Sequence, residues 1–276
     1  MPAPLMPGGR PILGHLTFFT DGPIELMRQA LATGEPVVRL KLGRRGGFIV
    51  HDPGAIKRLL VDAADVYQKR TRGYAKLKLL LGEGLVTSEG PFWLRQRRIA
   101  QPAFKKPRLE VFVRQMDRAA DDLVRRWAAQ GAQTVDVADA MNTLALRIAG
   151  ETLFSADVTG EAKHIGDAML AVLERFGFLV SAPVPYPEYW PFPGNLPAWR
   201  GIRTLHRVVD QMVAERRAHG GPSEDLLGLL MAATDPETGE AMTDRQLRDE
   251  ALTVLLAGHE TTANALAFAL MLLAQH

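Results

Sequence analysis

The chain has 276 residues, of which 47% are hydrophobic and 23% are charged, a composition typical of a folded soluble protein. Its formal net charge is only +2, from 33 basic and 31 acidic residues, so charge does not support binding to nucleic acid or to a membrane. It contains no cysteine, which excludes disulfides, thiolate metal ligands and cysteine nucleophiles within these residues.

No segment has the pattern of a membrane span or a signal peptide. The longest hydrophobic stretches have about 11 residues, as at 264–274, whereas a spanning helix needs ~20. The N-terminus is rich in proline and has no apolar segment behind a basic one. We therefore expect a cytoplasmic protein without a transmembrane segment.

The first part of the chain, residues 1–66, is predicted to be rich in β-structure. Apolar and polar side chains alternate over 37–42, a Gly-Arg-Arg-Gly sequence at 43–46 can turn, and an apolar stretch follows at 48–50. This pattern predicts a β-hairpin. The side chains expected to face inward are Val38, Leu40 and Leu42.

Residues 67–90 are predicted to be loop-like with one short helix at about 74–81, and the chain beyond them is predicted to be almost entirely helical. Apolar residues recur there every three or four positions, which is the period of an amphipathic helix. Helices are expected at about 74–81, 91–101, 109–127, 137–148, 160–180, 197–217 and 226–230, with a proline-rich connector over 183–197. The prediction is one mainly α fold with a small N-terminal hairpin, divided into residues 1–66 and a helical region, 67–276.

The last predicted helix is the longest and has the most unusual sequence. Thr243 and Gln246 have the spacing of a capping box, in which each side chain satisfies an N–H group of the first turn. Apolar residues then follow at helical spacing on both sides of a polar stretch, Ala-Gly-His-Glu-Thr-Thr at 257–262. A buried helix carries polar groups at its midpoint only at a cost in stability, which indicates a role for them.

The polar stretch has the residues needed to accept a flat ligand. Ala257 and Gly258 remove side-chain bulk, and glycine within a helix costs about 1 kcal/mol relative to alanine. Thr261 can return its hydroxyl to the carbonyl of Ala257, and Glu260 can relay protons. The alternative interpretation is a helix–helix contact through small residues, with Glu260 facing solvent.

An anion site is predicted on the helix at 91–101. Trp93 and Arg97 are four residues apart, so an indole N–H and a guanidinium leave one face of the helix together. Fixed donors of this kind suit a carboxylate or a phosphate. The alternative is a surface arginine beside a half-buried tryptophan.

Basic residues are concentrated at 91–130, which contains ten lysines and arginines and four acids. Such a run is either a solvated surface or a docking patch for an acidic protein, which would act mainly on the association rate. Nucleic acid is disfavoured because no aromatic residues are interleaved for stacking on bases.

Two common motifs are absent from the sequence. His259 and Glu260 begin a zinc signature, but its second histidine would fall at position 263, which is alanine. No glycine-rich nucleotide-binding motif occurs. We therefore predict no metal site made by this chain's own residues.

Taken in order, the motifs resemble those of the cytochrome P450 family, the haem-thiolate monooxygenases. Residues 7–15, Pro-Gly-Gly-Arg-Pro-Ile-Leu-Gly-His, and the hairpin are similar to the N-terminal region of that family. Residues 84–90, Gly-Leu-Val-Thr-Ser-Glu-Gly, followed by Trp93 and Arg97, are similar to its helix C segment. Residues 257–262 resemble the A/G-G-x-D/E-T-T/S motif of its long central helix I.

This resemblance implies haem b as the cofactor and assigns residues to it. Trp93 and Arg97 would hold the haem propionates, and Arg72 is a further candidate for a propionate contact. Ala257 and Gly258 would lie over the distal face of the haem.

The resemblance also implies an activity and its partners. Glu260 and Thr261 would deliver protons for the activation of O₂, and Val86 would approach the substrate. The implied reaction inserts one oxygen atom of O₂ into an apolar organic substrate, with electrons from an external redox protein such as a ferredoxin or flavodoxin. The alternative is a non-catalytic helical fragment that binds haem or another ligand.

The chain departs from the family pattern in two respects. It has no cysteine to provide the proximal thiolate, whose electron donation favours O–O cleavage, and it ends before the family's E-x-x-R helix and cysteine loop. We therefore expect an N-terminal portion of such an enzyme, a truncated cytochrome P450 fold that is inactive alone and binds haem only with the C-terminal half present. Apolar side chains of the last helix are expected to be exposed: Phe268, Leu270, Leu272 and Leu273.

Overall fold

The computed structural model describes residues 3–16, 22–43, 45–155, 162–181, 195–220 and 224–276. As predicted, the described residues are mainly helical and contain a small antiparallel sheet. They fall into two compact units, one within 1–73 and 176–190 and the other within 74–175 and 191–276. No helix among these described ranges is long and apolar enough to cross a membrane.

The first unit is built on the predicted hairpin. Its elements are α1 (Pro23–Ala32), β1 (Val37–Leu42), β2 (Arg45–Val50) and α2 (Pro53–Lys57), which continues into a turn of π-helix (Arg58–Asp62). The buried core of this unit consists of Met6, Leu26, Ala30, Val38 and Leu40, with Leu42 and Ile49 packed against it. Val38, Leu40 and Leu42 of β1 therefore face inward, as predicted.

The second strand is longer than predicted. It begins at Arg45, and Gly46 and Gly47 pair with Lys41 and Leu40 of β1. The sequence places Gly46 in the turn at 43–46 and begins the second apolar stretch only at Phe48. Ladder hydrogen bonds are made by the backbone and need no side chain, so the prediction was wrong at this end of the strand.

The remaining helices follow in the predicted order. They are α3 (Arg72–Leu81), α4 (Gly90–Ala100), a 3₁₀ turn (Gln101–Phe104), α5 (Lys106–Gln130), α6 (Val137–Phe154), α7 (Ala162–Ser181), α8 (Asn195–His219), α9 (Leu226–Ala232) and α10 (Asp244–Gln275). Helix α8 begins at Asn195 and not at the predicted Pro197. Proline is tolerated throughout a first turn, whose N–H groups have no partner within the helix. Residues 182–194, which include most of the predicted proline-rich connector, lie outside the described residues.

Helix α10 organises the core of the second unit through its N-terminal half. It packs mainly against α6 and α8 and also against α9. Its buried apolar residues are Leu247, Ala251, Leu252 and Leu255. The predicted capping box is confirmed: the Gln246 N–H donates to Thr243 Oγ1 at 3.3 Å, and the Thr243 N–H donates to Gln246 Oε1 at 2.8 Å.

The C-terminal half of α10 is buried only along one side. There Ala263 lies in a second cluster with residues of α5 and α6, and Ala267 packs against it. The other apolar side chains are exposed as expected, including Phe268, Leu270, Leu272 and Leu273. A contiguous exposed apolar surface of this kind favours association.

Replacement of Leu247 by alanine should destabilise the second unit by about 2–5 kcal/mol, because the leucine is 0% exposed at the centre of the core. Leu273→Ala on the same helix is the matched control, since Leu273 is 75% exposed, and should change the free energy of unfolding by no more than ~0.5 kcal/mol. Urea denaturation measures both changes. Similar losses in the two variants would contradict the assignment of the core.

Candidate functional site

An exposed face of α10 is free of side-chain bulk around residues 257–261. Ala257, Gly258 and Thr261 are all exposed. A Cβ atom placed on Gly258 would meet no neighbouring atom within 4 Å, and the helix is continuous through this stretch. A flat group can therefore approach the backbone of the helix here.

Thr261 makes the hydrogen bond that the sequence predicts. Its hydroxyl donates to the carbonyl oxygen of Ala257, one turn earlier. The hydroxyl is thereby oriented along the exposed face, and its oxygen lone pairs remain able to accept a proton or a hydrogen bond.

Glu260 points to a different side of α10, where a cleft of about 610 Å³ lies between α6, α7 and α10. The polar residues that line the cleft are Asp139, Asn142, Thr143, Asp167, His259, Glu260 and Asn264. Because the carboxylate is exposed and the cleft has room for water, Glu260 can exchange protons with solvent. Glu260 and Thr261 are consecutive residues, so α10 carries one polar group toward the cleft and one toward the open face.

His259 lies on the buried side of the same helix. Its Nε2 is 3.2 Å from the carbonyl oxygen of Asn142 on α6, and burial lowers the pKa of the imidazole. A neutral ring with Nε2 protonated donates to that carbonyl, so His259 joins α10 to α6.

Trp93 and Arg97 share a face of α4, as their spacing predicts. The Arg97 guanidinium lies 5.2 Å from the centroid of the Trp93 ring, a cation–π distance. Arg97 is exposed, and among the described residues no carboxylate forms an ion pair with it. Its guanidinium is therefore available to an anion.

The neighbouring arginines of α4 are already paired. Arg98 donates from Nε to Asp235 Oδ1 at 2.8 Å and from Nη2 to Asp235 Oδ2 at 2.9 Å, and Arg95 forms an ion pair with Glu240. The hydrogen bonds from Arg98 lower the pKa of Asp235 to about 2. These pairs hold the turn at 235–240 against α4 and neutralise part of the basic run.

Val86 lies in a loop, residues 82–88, that is attached to α10. Its side chain is 36% exposed. Asp249 Oδ2 accepts a hydrogen bond from the Glu83 N–H at 3.0 Å, and Glu250 Oε2 accepts one from the Leu85 N–H at 3.0 Å. Val86 therefore follows Leu85, whose N–H is hydrogen-bonded to Glu250 of α10.

Asp249 and Glu250 were not predicted from the sequence. Both carboxylates are buried, at 2% and 1% exposure, and burial raises the pKa of Glu250 to about 7, an effect that the Leu85 N–H opposes. The available signal was a pair of adjacent acids between core positions of a helix, since buried carboxylates require partners. Their partners lie some 165 residues away, where periodicity gives no information.

The structure brings some of the predicted site residues together and leaves others apart. Helix α4 is linked to α10 by Arg95 Nη2, 3.4 Å from Gln246 Oε1. Within the described part of the chain, no hydrogen bond or ion pair joins Trp93 or Arg97 to residues 257–261. Arg72 begins α3, but its side chain lies outside the described residues.

Comparison with known proteins places this arrangement in a family. The sequence model described as Cytochrome P450 matches residues 4–276. A cyclooctat-9-en-7-ol 5-monooxygenase from Streptomyces melanosporofaciens is 32% identical over 274 residues, which are 98% of this chain and 58% of that protein. A bifunctional cytochrome P450/NADPH–P450 reductase from Fusarium oxysporum is 28% identical over 273 residues, which are 96% of this chain and 25% of that protein.

A solved structure shares the fold. The crystal structure of the cytochrome P450DA heme domain superimposes with a TM-score of 0.86 at 32% sequence identity, and the match covers 100% of this chain and 61% of that one. The chain thus spans about three-fifths of the length of the monooxygenase and of the heme domain that it matches. The match extends over residues 4–276 and includes every element of the candidate site, and the chain therefore belongs to the cytochrome P450 family.

Proposed function

We propose that this chain carries the oxygen-activating face of a haem-dependent monooxygenase, which inserts one oxygen atom of O₂ into an apolar organic substrate. One observation carries the proposal: on α10, an open surface at Gly258 lies beside a hydroxyl, Thr261, and a carboxylate, Glu260, that reaches a cleft. A structural helix–helix contact needs the small residues, but it does not need them exposed.

Haem b is the cofactor of this family, and when bound it supplies the iron chemistry of O₂ activation. The residues present fit such a group. Arg97 offers a guanidinium without a carboxylate partner, stacked on Trp93, which suits a propionate. Ala257 and Gly258 offer a bare surface for a planar ring.

Two parts of a haem site are not supplied by the residues named above: a second contact to a propionate and the thiolate ligand. Arg72 remains a candidate for a further propionate contact. The thiolate ligand that the family supplies to haem cannot come from these 276 residues, because they contain no cysteine.

Glu260 and Thr261 are proposed to move protons from solvent to the open face of α10. A Glu260 carboxylate oxygen takes a proton from water in the cleft. Thr261 Oγ1 gives its proton to a group bound at the open face and accepts another from a water molecule protonated by Glu260, so that the hydroxyl is restored and again donates to the Ala257 carbonyl between transfers. Positioned proton transfer of this kind contributes about 10²–10⁴ in rate.

The substrate is proposed to be an apolar molecule with a hydrocarbon skeleton. Val86 presents an exposed aliphatic side chain on the loop beside α10, and a similar monooxygenase is named for an alkenol. Apolar contact with Val86 would contribute to substrate affinity but would not determine which carbon atom is oxidised.

Electrons are proposed to come from a separate protein such as a ferredoxin or flavodoxin. A relative is joined to an NADPH-dependent reductase in one polypeptide. Lys105, Lys106 and Arg108 at the start of α5 are exposed, and basic residues attract an acidic partner and raise its association rate.

The proposal is tested with haem-loaded protein that includes the C-terminal half on which haem binding is expected to depend, together with a reductase system and ¹⁸O₂. Label should appear in the product as one oxygen atom. Glu260→Gln and Thr261→Val should each lower product formation by about 10²-fold, because each removes one proton-transfer group. Thr262→Val, the adjacent alcohol, is the control and should retain activity. Haem binding without label in any product would favour the non-catalytic alternative.

Arg97→Gln should weaken haem binding by about 10- to 100-fold, because a charge-assisted hydrogen bond contributes about 1.5–3 kcal/mol. Titration of apoprotein with haem, followed by absorbance, measures the affinity. The control is Arg108→Gln, another exposed arginine, which should leave the affinity unchanged. Equal losses in both variants would show that only the general positive charge matters.

A further inference from the structure

The loop at 82–88 is a compact turn with its own hydrogen bonds. Thr87 Oγ1 donates to the carbonyl oxygen of Gly82 at 2.7 Å and lies 3.1 Å from that of Gly84. The N–H groups of Thr87 and Ser88 both donate to the Gly84 carbonyl at 2.9 Å. Because Thr87 and Ser88 are buried, the loop has a definite conformation and little freedom to rearrange by itself.

Two N–H groups of this loop donate hydrogen bonds to side chains of α10. They belong to Glu83 and Leu85, and their acceptors are the buried carboxylates of Asp249 and Glu250. A buried carboxylate is costly unless hydrogen bonds compensate it. Arg248 also pairs with Asp249 at 3.3 Å, and each of the two carboxylates accepts an N–H group of the loop, which core packing alone does not explain.

Glycines allow the loop to approach α10 closely. A Cβ atom on Gly84 would lie 2.1 Å from Thr253 Oγ1 and 2.7 Å from the Asp249 carbonyl oxygen. A Cβ atom on Gly82, where φ is +54°, would lie 2.1 Å from Asp249 Oδ2. Any larger residue at either position would push the loop away from the helix.

Two of the α10 residues that contact the loop, Glu250 and Thr253, lie on the same side of the helix as Ala257, whereas Asp249 is turned about 80° away from it. Thr253 is one turn before Ala257, and Glu250 is about two turns, or ~10 Å, before it. Leu85 is held at Glu250, and Val86 follows it with an exposed side chain. The distance between Val86 and the open face is thus set by contacts with α10.

We propose that Asp249 and Glu250 are positioning residues that fix the 82–88 loop on α10 and thereby determine the size of substrate that Val86 admits. The part concerning substrate size rests on the proposed monooxygenase function. The part concerning the loop does not, since it requires neither cofactor nor substrate.

Amide hydrogen exchange tests the positioning of the loop in the 276-residue chain. In Glu250→Leu, the Leu85 amide should exchange about tenfold faster, because it loses its acceptor. In Glu250→Gln, which keeps a side-chain oxygen of the same reach, exchange should stay within about threefold of the original chain. Amides in the middle of α6 report global stability and should not change.

A second variant makes the test independent of removing a buried charge. Gly84→Ala leaves both carboxylates in place and should accelerate exchange at both Glu83 and Leu85 by pushing the loop outward. Unchanged exchange in Gly84→Ala and Glu250→Leu would overturn the proposal. Equal acceleration in Glu250→Gln and Glu250→Leu would also overturn it, because the acceptor would then not matter.

Substrate selection is measured with haem-loaded protein that includes the C-terminal half, using two probes, cyclooctane and cyclododecane. In Gly84→Ala, the ratio of their KM values should shift by about fivefold or more while kcat changes by less than about twofold, since binding and not chemistry is altered. A loosened loop with an unchanged ratio would overturn the selective role. If the unsubstituted protein oxidised neither probe, the proposed function and the selective role would fail together, while the exchange result would still decide whether Asp249 and Glu250 hold the loop.

Discussion

The burial of one side of α10 determines the direction of every candidate side chain that it carries. Leu247, Leu252 and Leu255 anchor its N-terminal half in the core of the second unit. Because the helix is continuous from Asp244–Gln275, its rotation is the same at the polar stretch. His259 is therefore buried against α6, whereas Gly258 and Thr261 are exposed.

Polar contacts fix the positions of irregular segments that the apolar core does not hold. Irregular segments have backbone N–H groups that no helix or strand satisfies. In this protein, carboxylates on α10 accept two of them from the 82–88 loop, and the turn at 235–240 is held through Asp235 by Arg98 of α4. A loop and a turn far apart in sequence thus acquire fixed positions, the loop on α10 and the turn on α4.

The elements that could be predicted from the sequence are those whose cause is local. The capping box at Thr243, the shared face of Trp93 and Arg97, and the Thr261 hydrogen bond each depend on residues within one or two turns. The predicted starts of β2 and of the helix at Asn195 were wrong. At both places the backbone conformation is compatible with many different side chains. Such tolerance leaves no pattern in the sequence.

Long-range contacts account for what could not be predicted at the site. Arg95, Arg97 and Arg98 are chemically equivalent in the sequence, and it is the acids near residue 240 that pair with Arg95 and Arg98 and, among the described residues, leave Arg97 without a carboxylate. Similarly, Asp249 and Glu250 could be recognised as buried acids, but their partners follow from the tertiary fold alone. The roles of Val86 and Glu260 depend on such surroundings.

The small residues beneath the open face have a consequence for its dynamics. Ala263 lies in a buried cluster with Ala119 of α5 and Ala145 of α6, and alanine has no side-chain rotamers to exchange. The three alanines therefore offer no rotamer changes at this junction, and side-chain repacking there is left to Leu123, Met141 and Leu144. Thr261 is only two residues from Ala263, so the hydroxyl that we propose to transfer protons belongs to a part of α10 that packs on its neighbours through side chains without rotamers.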